Sequence, residues 1–155
     1  MRIETERCVV RRMRAEDAPE LYEVLSDPLT MACLEPPFSM KRTLAFIAGP
    51  GAGEAPLAYS ICHKAEGRVV GHLIFHPWEN ADYELGWVLN RRCWRQGLAG
   101  ELTRAVIEHA RRRGIPALVI ECLPAQKATR AIAERFGFAF CGIRDGLHIY
   151  RLKLR

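Results

Sequence analysis

The residues Trp94-Arg95-Gln96-Gly97-Leu98-Ala99-Gly100-Glu101 have types and spacing that can do chemistry. They lie where an apolar stretch, Tyr83 to Leu89, gives way to an amphipathic one, Leu98 to Arg113. The first reads as a strand and the second as a helix. Two glycines and an alanine at such a junction leave backbone N–H groups uncovered. The helix start adds unpaired N–H donors and the positive end of its dipole. That is a seat for an anion, above all a phosphate. Small residues let a pyrophosphate come within hydrogen-bond reach of the backbone. Arg91, Arg92 and Arg95 flank the seat and read either as facing a bound anion or as plain surface charge. Arg111-Arg112-Arg113 reads as dipole complement and solvation at the helix end.

A proton acceptor is the second requirement for chemistry here. Alternation places Tyr83, Leu85, Trp87 and Leu89 on one face of the strand, and Asp82, Glu84, Gly86 and Val88 on the other. Gly86 marks a possible bulge, which would break that parity. Glu84 is a carboxylate in an apolar strand close to the anion seat. It reads either as a salt-bridged or solvent-facing group, or as a general base. Carboxylates near apolar surface titrate higher and take protons better. His63, His72 and His76 read as surface or packed histidines, with His76, before Pro77-Trp78, as the reserve base.

The elements that must position these groups follow from periodicity and breakers. Cys8 to Met13 reads as a strand, and Ala15 to Ser26 as a helix ended by Asp27-Pro28. Ser39 caps a short helix running to about Ala48. Gly49 to Gly53 lacks the Lys-Ser/Thr ending of a phosphate loop and reads as a connection. Pro56 to His63, Arg68 to His76 and Tyr83 to Leu89 form an antiparallel meander. The helix from Leu98 stops at Gly114 and Pro116. Ala117 to Ile120 is a continuous apolar run, a strand buried on both faces. A β–α–β unit with a parallel neighbour results. Another helix spans about Ala125 to Phe136. Phe138 to Ile143 and Leu147 to Leu154 close the chain as a hairpin around Asp145-Gly146.

Composition bounds the function. The 155 residues read as one domain, 1–155, 49% hydrophobic and 26% charged. No run approaches a membrane span and no secretory signal is visible, which places the chain in the cytoplasm by default. The six cysteines contain no Cys-x-x-Cys pair and read mostly as reduced core residues, so no metal site is expected. The net charge of +5 lacks a basic patch interleaved with aromatics, so no specific nucleic-acid partner is expected. A homodimer stays open, since nothing separates an interface stripe from core.

Thr5-Glu6-Arg7-Cys8-Val9-Val10-Arg11 with Glu16-Asp17-Ala18 resembles the opening of the GNAT superfamily of acyl-CoA-dependent N-acetyltransferases. Glu84 to Leu89 is similar to that family's fourth strand, and Trp94 to Glu101 to its pyrophosphate loop. Pro124-Ala125-Gln126-Lys127-Ala128-Thr129, with Glu134-Arg135-Phe136-Gly137-Phe138, resembles its last conserved block. The resemblance covers nearly the whole chain in the family order. It looks most like the Rim type, which includes ribosomal-protein N-terminal acetyltransferases. It implies an α/β fold: a mixed, mostly antiparallel twisted sheet of about seven strands with helices on both faces. The family's fourth and fifth strands splay to hold the pantetheine arm of acetyl-CoA, the cosubstrate. By the same analogy, Val88 and Leu89 offer backbone groups to the pantetheine, with Asn90 as a side-chain contact. The amides of Arg95, Gln96, Gly97, Leu98, Ala99 and Gly100 hold the pyrophosphate.

Departures from the family pattern matter. Trp94 stands at the loop start, where core packing is its expected role. Gln126 replaces the usual asparagine, and Thr129 the usual serine. Ala133 stands where many members carry a tyrosine acid, so Thr129, Tyr150 or water must protonate the thiolate. Tyr150 otherwise packs in the last strand. The resemblance implies direct acyl transfer to a primary amine, either a protein N-terminal α-amino group or a small molecule. A non-catalytic acyl-CoA-binding module is the other reading. Glu84 would take the proton, with an N–H of the fourth strand as oxyanion donor. The acceptor is read by the loops at Cys33 to Phe38 and Pro77 to Asp82, whose Glu35, Glu79 and Asp82 suit a cationic amine.

Overall fold

A strand that is paired along one edge and mostly unpaired along the other dominates the architecture of this chain. The computed structural model describes residues 1–155. In chain order the elements are β1 (Ile3–Glu4), β2 (Cys8–Arg11), α1 (Ala18–Leu25), α2 (Pro28–Met31), α3 (Met40–Ala48), β3 (Ala58–His63) and β4 (Arg68–Pro77). They continue with β5 (Tyr83–Leu89), α4 (Leu98–Arg112), β6 (Ala117–Cys122), α5 (Lys127–Arg135), β7 (Ala139–Arg144) and β8 (Leu147–Lys153). One eight-stranded sheet has the order β1-β2-β3-β4-β5-β6-β8-β7. Every neighbouring pair is antiparallel except β5 and β6, which run parallel. The strand beyond the expected seven is β1, a two-residue edge pairing with Val9 and Val10. The four-residue α2, capped by the Asp27 carboxylate on Thr30, is likewise too short to show in the periodicity.

β5 and β6 pair only at Tyr83↔Leu118 and Glu84↔Val119. Beyond Glu84 the two strands part, and a V opens toward Leu89 and Cys122. On the other edge of β5 the register with β4 runs unbroken from Gly71↔Leu89 to Pro77↔Tyr83. No bulge interrupts β5 at Gly86, so the side-chain parity read from the sequence holds. Gly71 allows this close pairing: a Cβ there would run into the Val88 carbonyl.

The two sheet faces have different helices. Leu98, Leu102, Val106 and Ala110 form the buried stripe of α4 and join Leu73, Phe75, Leu85, Leu89, Leu118 and Ile120 in the main core. α1, α2 and α3 cover the opposite face through Leu21, Leu25, Met31 and Ile47, against Ala58 and Val69. The α4 ending is set by Gly114 at φ +70°. Ser39 caps α3 as expected, its hydroxyl accepting the Arg42 N–H at 3.1 Å. No helix is long and apolar enough to cross a membrane. All six cysteines are free; Cys8, Cys93 and Cys122 are buried, Cys33 and Cys62 half-buried and Cys141 exposed.

Candidate active site

The glycine loop leads from the open end of β5 into α4. Arg95 and Gly97 take positive φ, +61° and +80°, and Gly97 is the residue before the first helical turn. The N–H groups from Arg95 to Gly100 donate to no acceptor within the protein; Glu101 N–H is the first to bond back, to the Gly97 carbonyl. Consecutive free donors at a helix start are what an anion needs. The loop is held from a distant part of the chain. Arg7 donates to the Gln96 carbonyl at 2.8 Å. Glu101 accepts the Thr5 hydroxyl (2.5 Å), the Arg7 N–H (2.9 Å) and the Arg7 Nε–H (2.8 Å). Burial alone would raise the Glu101 carboxyl, but these bonds outweigh it and hold it below its ordinary value. The Thr5-Glu6-Arg7 segment and the loop are therefore one unit.

Several neighbours of the loop differ from the sequence expectations. Arg91 is bound by Asp27 (2.6 Å) and Arg92 by Glu66 (3.0 Å), so of the three flanking arginines only Arg95 lacks an ion pair. Trp94 is 44% exposed instead of core-packed. Its indole N–H donates to the Leu89 carbonyl at 2.9 Å. The Asn90 amide is engaged inside the protein: it donates to Glu23 (3.1 Å) and accepts the Arg92 N–H (3.1 Å). Gln126 accepts the Leu123 N–H at 2.8 Å and so closes the turn before α5.

Which backbone groups face the V follows from the ladder. Trp78 N–H donates to the Asp82 carbonyl and Asn90 N–H to the Val70 carbonyl, each at 2.7 Å. Bonding alternates along an antiparallel pair. Glu84, Gly86 and Val88 therefore exchange their backbone groups with β4, while Trp87 and Leu89 turn theirs toward β6. Val88, expected to offer its backbone to the cleft, faces away from it. Trp87 takes that place, and Leu89 keeps its free N–H.

At the vertex of the V, three strands bring titratable side chains to one face. His76 on β4 lies directly across from Glu84 on β5, and His76 Nε2 is 2.9 Å from Glu84 Oε2. His76 Nδ1 is 2.9 Å from the Pro77 carbonyl. A carbonyl only accepts, so Nδ1 carries a hydrogen and Nε2 is the nitrogen that exchanges a proton with Glu84. The Glu84 bond raises His76 above its ordinary value, against burial, which lowers it. Glu121 on β6 joins this face, because it shares parity with Val119, the bridge partner of Glu84. Burial first, then the Glu84 charge, raises its carboxyl. Glu121 lies past the apolar run Ala117 to Ile120, and alternation continuing through Glu121-Cys122 is the signal that extends the strand to include it.

The other expected acidic residues are paired: Glu35 with Arg42 (2.8 Å), Glu79 with Arg144 (2.7 Å) and Asp82 with Arg151 (2.7 Å). On the α4 face of the sheet, Tyr150 lies opposite Ile120 and is buried, and its hydroxyl has no hydrogen-bond partner. The Thr129 hydroxyl, in the first turn of α5, is likewise unpartnered, and Ala133 is fully buried. Of the other meander histidines, His63 accepts the Glu66 N–H, and His72 is buried beside the Phe46 ring at 5.0 Å.

Comparisons with known proteins agree on the kind of protein this is. The model of the acetyltransferase (GNAT) domain matches residues 7–139. A Bacillus subtilis (strain 168) relative, named uncharacterized N-acetyltransferase YnaD, is 24% identical over 140 residues, covering 88% of this chain and 82% of its own. The solved structure of a GNAT-family acetyltransferase from Bacillus anthracis superposes with a TM-score of 0.90 at 23% identity, covering 99% of each chain. RimL, a ribosomal L7/L12 alpha-N-protein acetyltransferase solved with coenzyme A, gives a TM-score of 0.80 at 21% identity, over 99% of this chain and 98% of its own.

Proposed function

The chain belongs to the acetyltransferase (GNAT) family and is an acetyl-CoA-dependent N-acetyltransferase, and from that premise we propose that it acetylates a primary amine directly, with the His76–Glu84 pair as proton acceptor. The observation that carries this is the 2.9 Å contact between Nε2 and the carboxylate where β5 and β6 part. The residues present fit the cosubstrate. The free N–H groups from Arg95 to Gly100 suit its pyrophosphate, and the backbone of Trp87 and Leu89 suits its pantetheine amides. When bound, acetyl-CoA supplies a thioester carbonyl as the electrophile.

The chain's own groups do the rest. A lone carboxylate is a weak base toward an ammonium. The pair is stronger, because with Nδ1–H held by Pro77 the neutral imidazole turns a lone pair toward the Glu84 carboxylate. A proton arriving between them satisfies both, so the pair takes up protons as a histidine raised above its ordinary value. The N–H of Trp87 or Leu89 serves the developing oxyanion. The unpartnered Thr129 or Tyr150 hydroxyl, or water, returns one proton to the thiolate.

The acceptor best matched to this base is a protein N-terminal α-amino group. Its reference pKa, near ~8, lies well below the ~10.4 of lysine. RimL, whose name specifies α-N-protein acetylation, shares the fold. A small-molecule amine is the second reading, favoured by the unpaired Glu121 carboxylate. Release of coenzyme A thiol, followed with purified protein and acetyl-CoA, tests both. Peptides with free N-termini should turn over, and the same peptides blocked at Nα should not. Equal turnover of a lysine in the blocked peptides would contradict the N-terminal reading, and small amines as sole acceptors would select the second.

A further inference from the structure

A carboxylate is fixed beside the loop of free N–H groups. Glu101 is the acidic residue of the first turn of α4, and helical side chains lean toward the helix N-terminus. One guanidinium joins it to the loop: Arg7 Nε–H donates to Glu101 Oε1 and Arg7 Nη1 to the Gln96 carbonyl, each at 2.8 Å. The carboxylate and the loop backbone therefore lie within the span of a single guanidinium. Arg7 Nη2 is on the same side, 3.6 Å from where a Cβ of Gly97 would stand. The other carboxylate oxygen accepts the Thr5 hydroxyl and the Arg7 N–H, so both oxygens are held by the segment before β2. Only 18% of the Glu101 side chain is exposed, which leaves little water to screen its charge. Arg7 is the one cation bonded to it.

This placement sets up a conflict. A helix start with open N–H groups prefers an anion, and a released Glu101 is an anion already in the first turn. It would compete for the donors from Arg95 to Gly100, and its charge would repel a phosphate arriving there. We propose that Arg7 is a positioning residue for coenzyme A: it neutralises Glu101 and holds the carboxylate off the loop, which leaves the N–H groups open to the pyrophosphate. The inference rests on the pyrophosphate reading of the loop. Arg7 acts through Glu101, and it acts on affinity, not on acyl transfer.

A plain brace and this electrostatic role make different predictions for the two partners. If the pair only braces the loop, Arg7→Gln and Glu101→Gln break the same bond and weaken binding alike. If Arg7 works by controlling the Glu101 charge, only Arg7→Gln weakens it. Calorimetric titration of the full chain with coenzyme A tests this, alongside KM and kcat for acetyl-CoA. Arg7→Gln should bind coenzyme A about tenfold or more weakly, the scale of one poorly screened charge near a polyanion. Its KM should rise while kcat at saturation holds, and added salt should narrow the gap. Glu101→Gln should bind at least as tightly as the wild type. The double variant should recover most of the lost affinity, and Arg7→Lys, which keeps the charge, should lose little. Equal losses in Arg7→Gln and Glu101→Gln, or no recovery in the double variant, overturn the proposal. If Arg7→Gln does not fold, weakened binding in Glu101→Gln alone still overturns it. A wild type that does not bind coenzyme A would refute the pyrophosphate reading and this inference with it. Wild-type binding that Arg7→Gln leaves unchanged overturns this inference alone.

Discussion

Glu84→Gln is expected to lower kcat by about 10²- to 10⁴-fold, the range over which a positioned general base acts. The amide keeps the shape of the carboxylate but cannot share a proton with His76 Nε2. It also removes the bond that raises His76, so the imidazole left behind is the weaker base. The loop of free N–H groups, which we propose binds the pyrophosphate, lies at the far end of β5 and is held by Arg7 and Glu101, which Glu84 does not touch. The KM for acetyl-CoA should therefore stay close to the native value while kcat falls. Steady-state thiol release at saturating acetyl-CoA measures both. Full activity of the variant at neutral pH would contradict the assignment.

The second large effect concerns stability. His72 is buried, and burial pushes its pKa down to about 4. In the unfolded chain it titrates at the ordinary value, near ~6.5. Between those values the unfolded chain holds a proton that the native state lacks. Stability is therefore full above pH ~6.5 and falls as the pH drops toward 4. The loss amounts to about 3 kcal/mol and levels off below the folded value. His72 Nδ1 is also a buried nitrogen with no partner, so neutral histidine already carries a desolvation cost. His72→Leu should remove that part of the acid limb and raise stability at neutral pH. Urea unfolding midpoints at pH 7 and pH 4.5 compare the two proteins. An acid limb equally steep in both would show that other groups cause it.

Much of the site was legible because it depends on local pattern. Two glycines between an apolar strand and an amphipathic helix predict uncovered backbone N–H groups without any tertiary knowledge, and those from Arg95 to Gly100 have no acceptor within the protein. Alternation in Tyr83 to Leu89 put Glu84 on the face away from Leu85 and Leu89, and the unbroken register with β4 keeps it there. The illegible parts depend on pairings far apart in sequence. Side-chain parity says nothing about which backbone edge meets β6; that needs the β4 register, and it moves the open backbone from Val88 to Trp87. For Arg91 and Arg92 the sequence leaves two readings open, a bound anion or surface charge, because Asp27 and Glu66, which bind them, lie on other elements. Thr5 and Arg7 gave no local sign of holding Glu101. Glu121 is polar and follows the apolar run Ala117 to Ile120, so hydrophobicity alone does not extend the strand to it. The helix α2, four residues with no room for periodicity, had only Asp27-Pro28 to announce it.

We propose the His76–Glu84 pair, and not a carboxylate alone, as the base. The most direct measurement is the pH dependence of kcat/KM for the wild type and His76→Gln with one amine of fixed pKa. The wild-type rate should fall as the pH drops through an apparent pKa above ~6.5, the ordinary histidine value. In His76→Gln that limb should move to lower pH and the plateau should drop. Superimposable profiles for the two proteins would contradict the pair as the base.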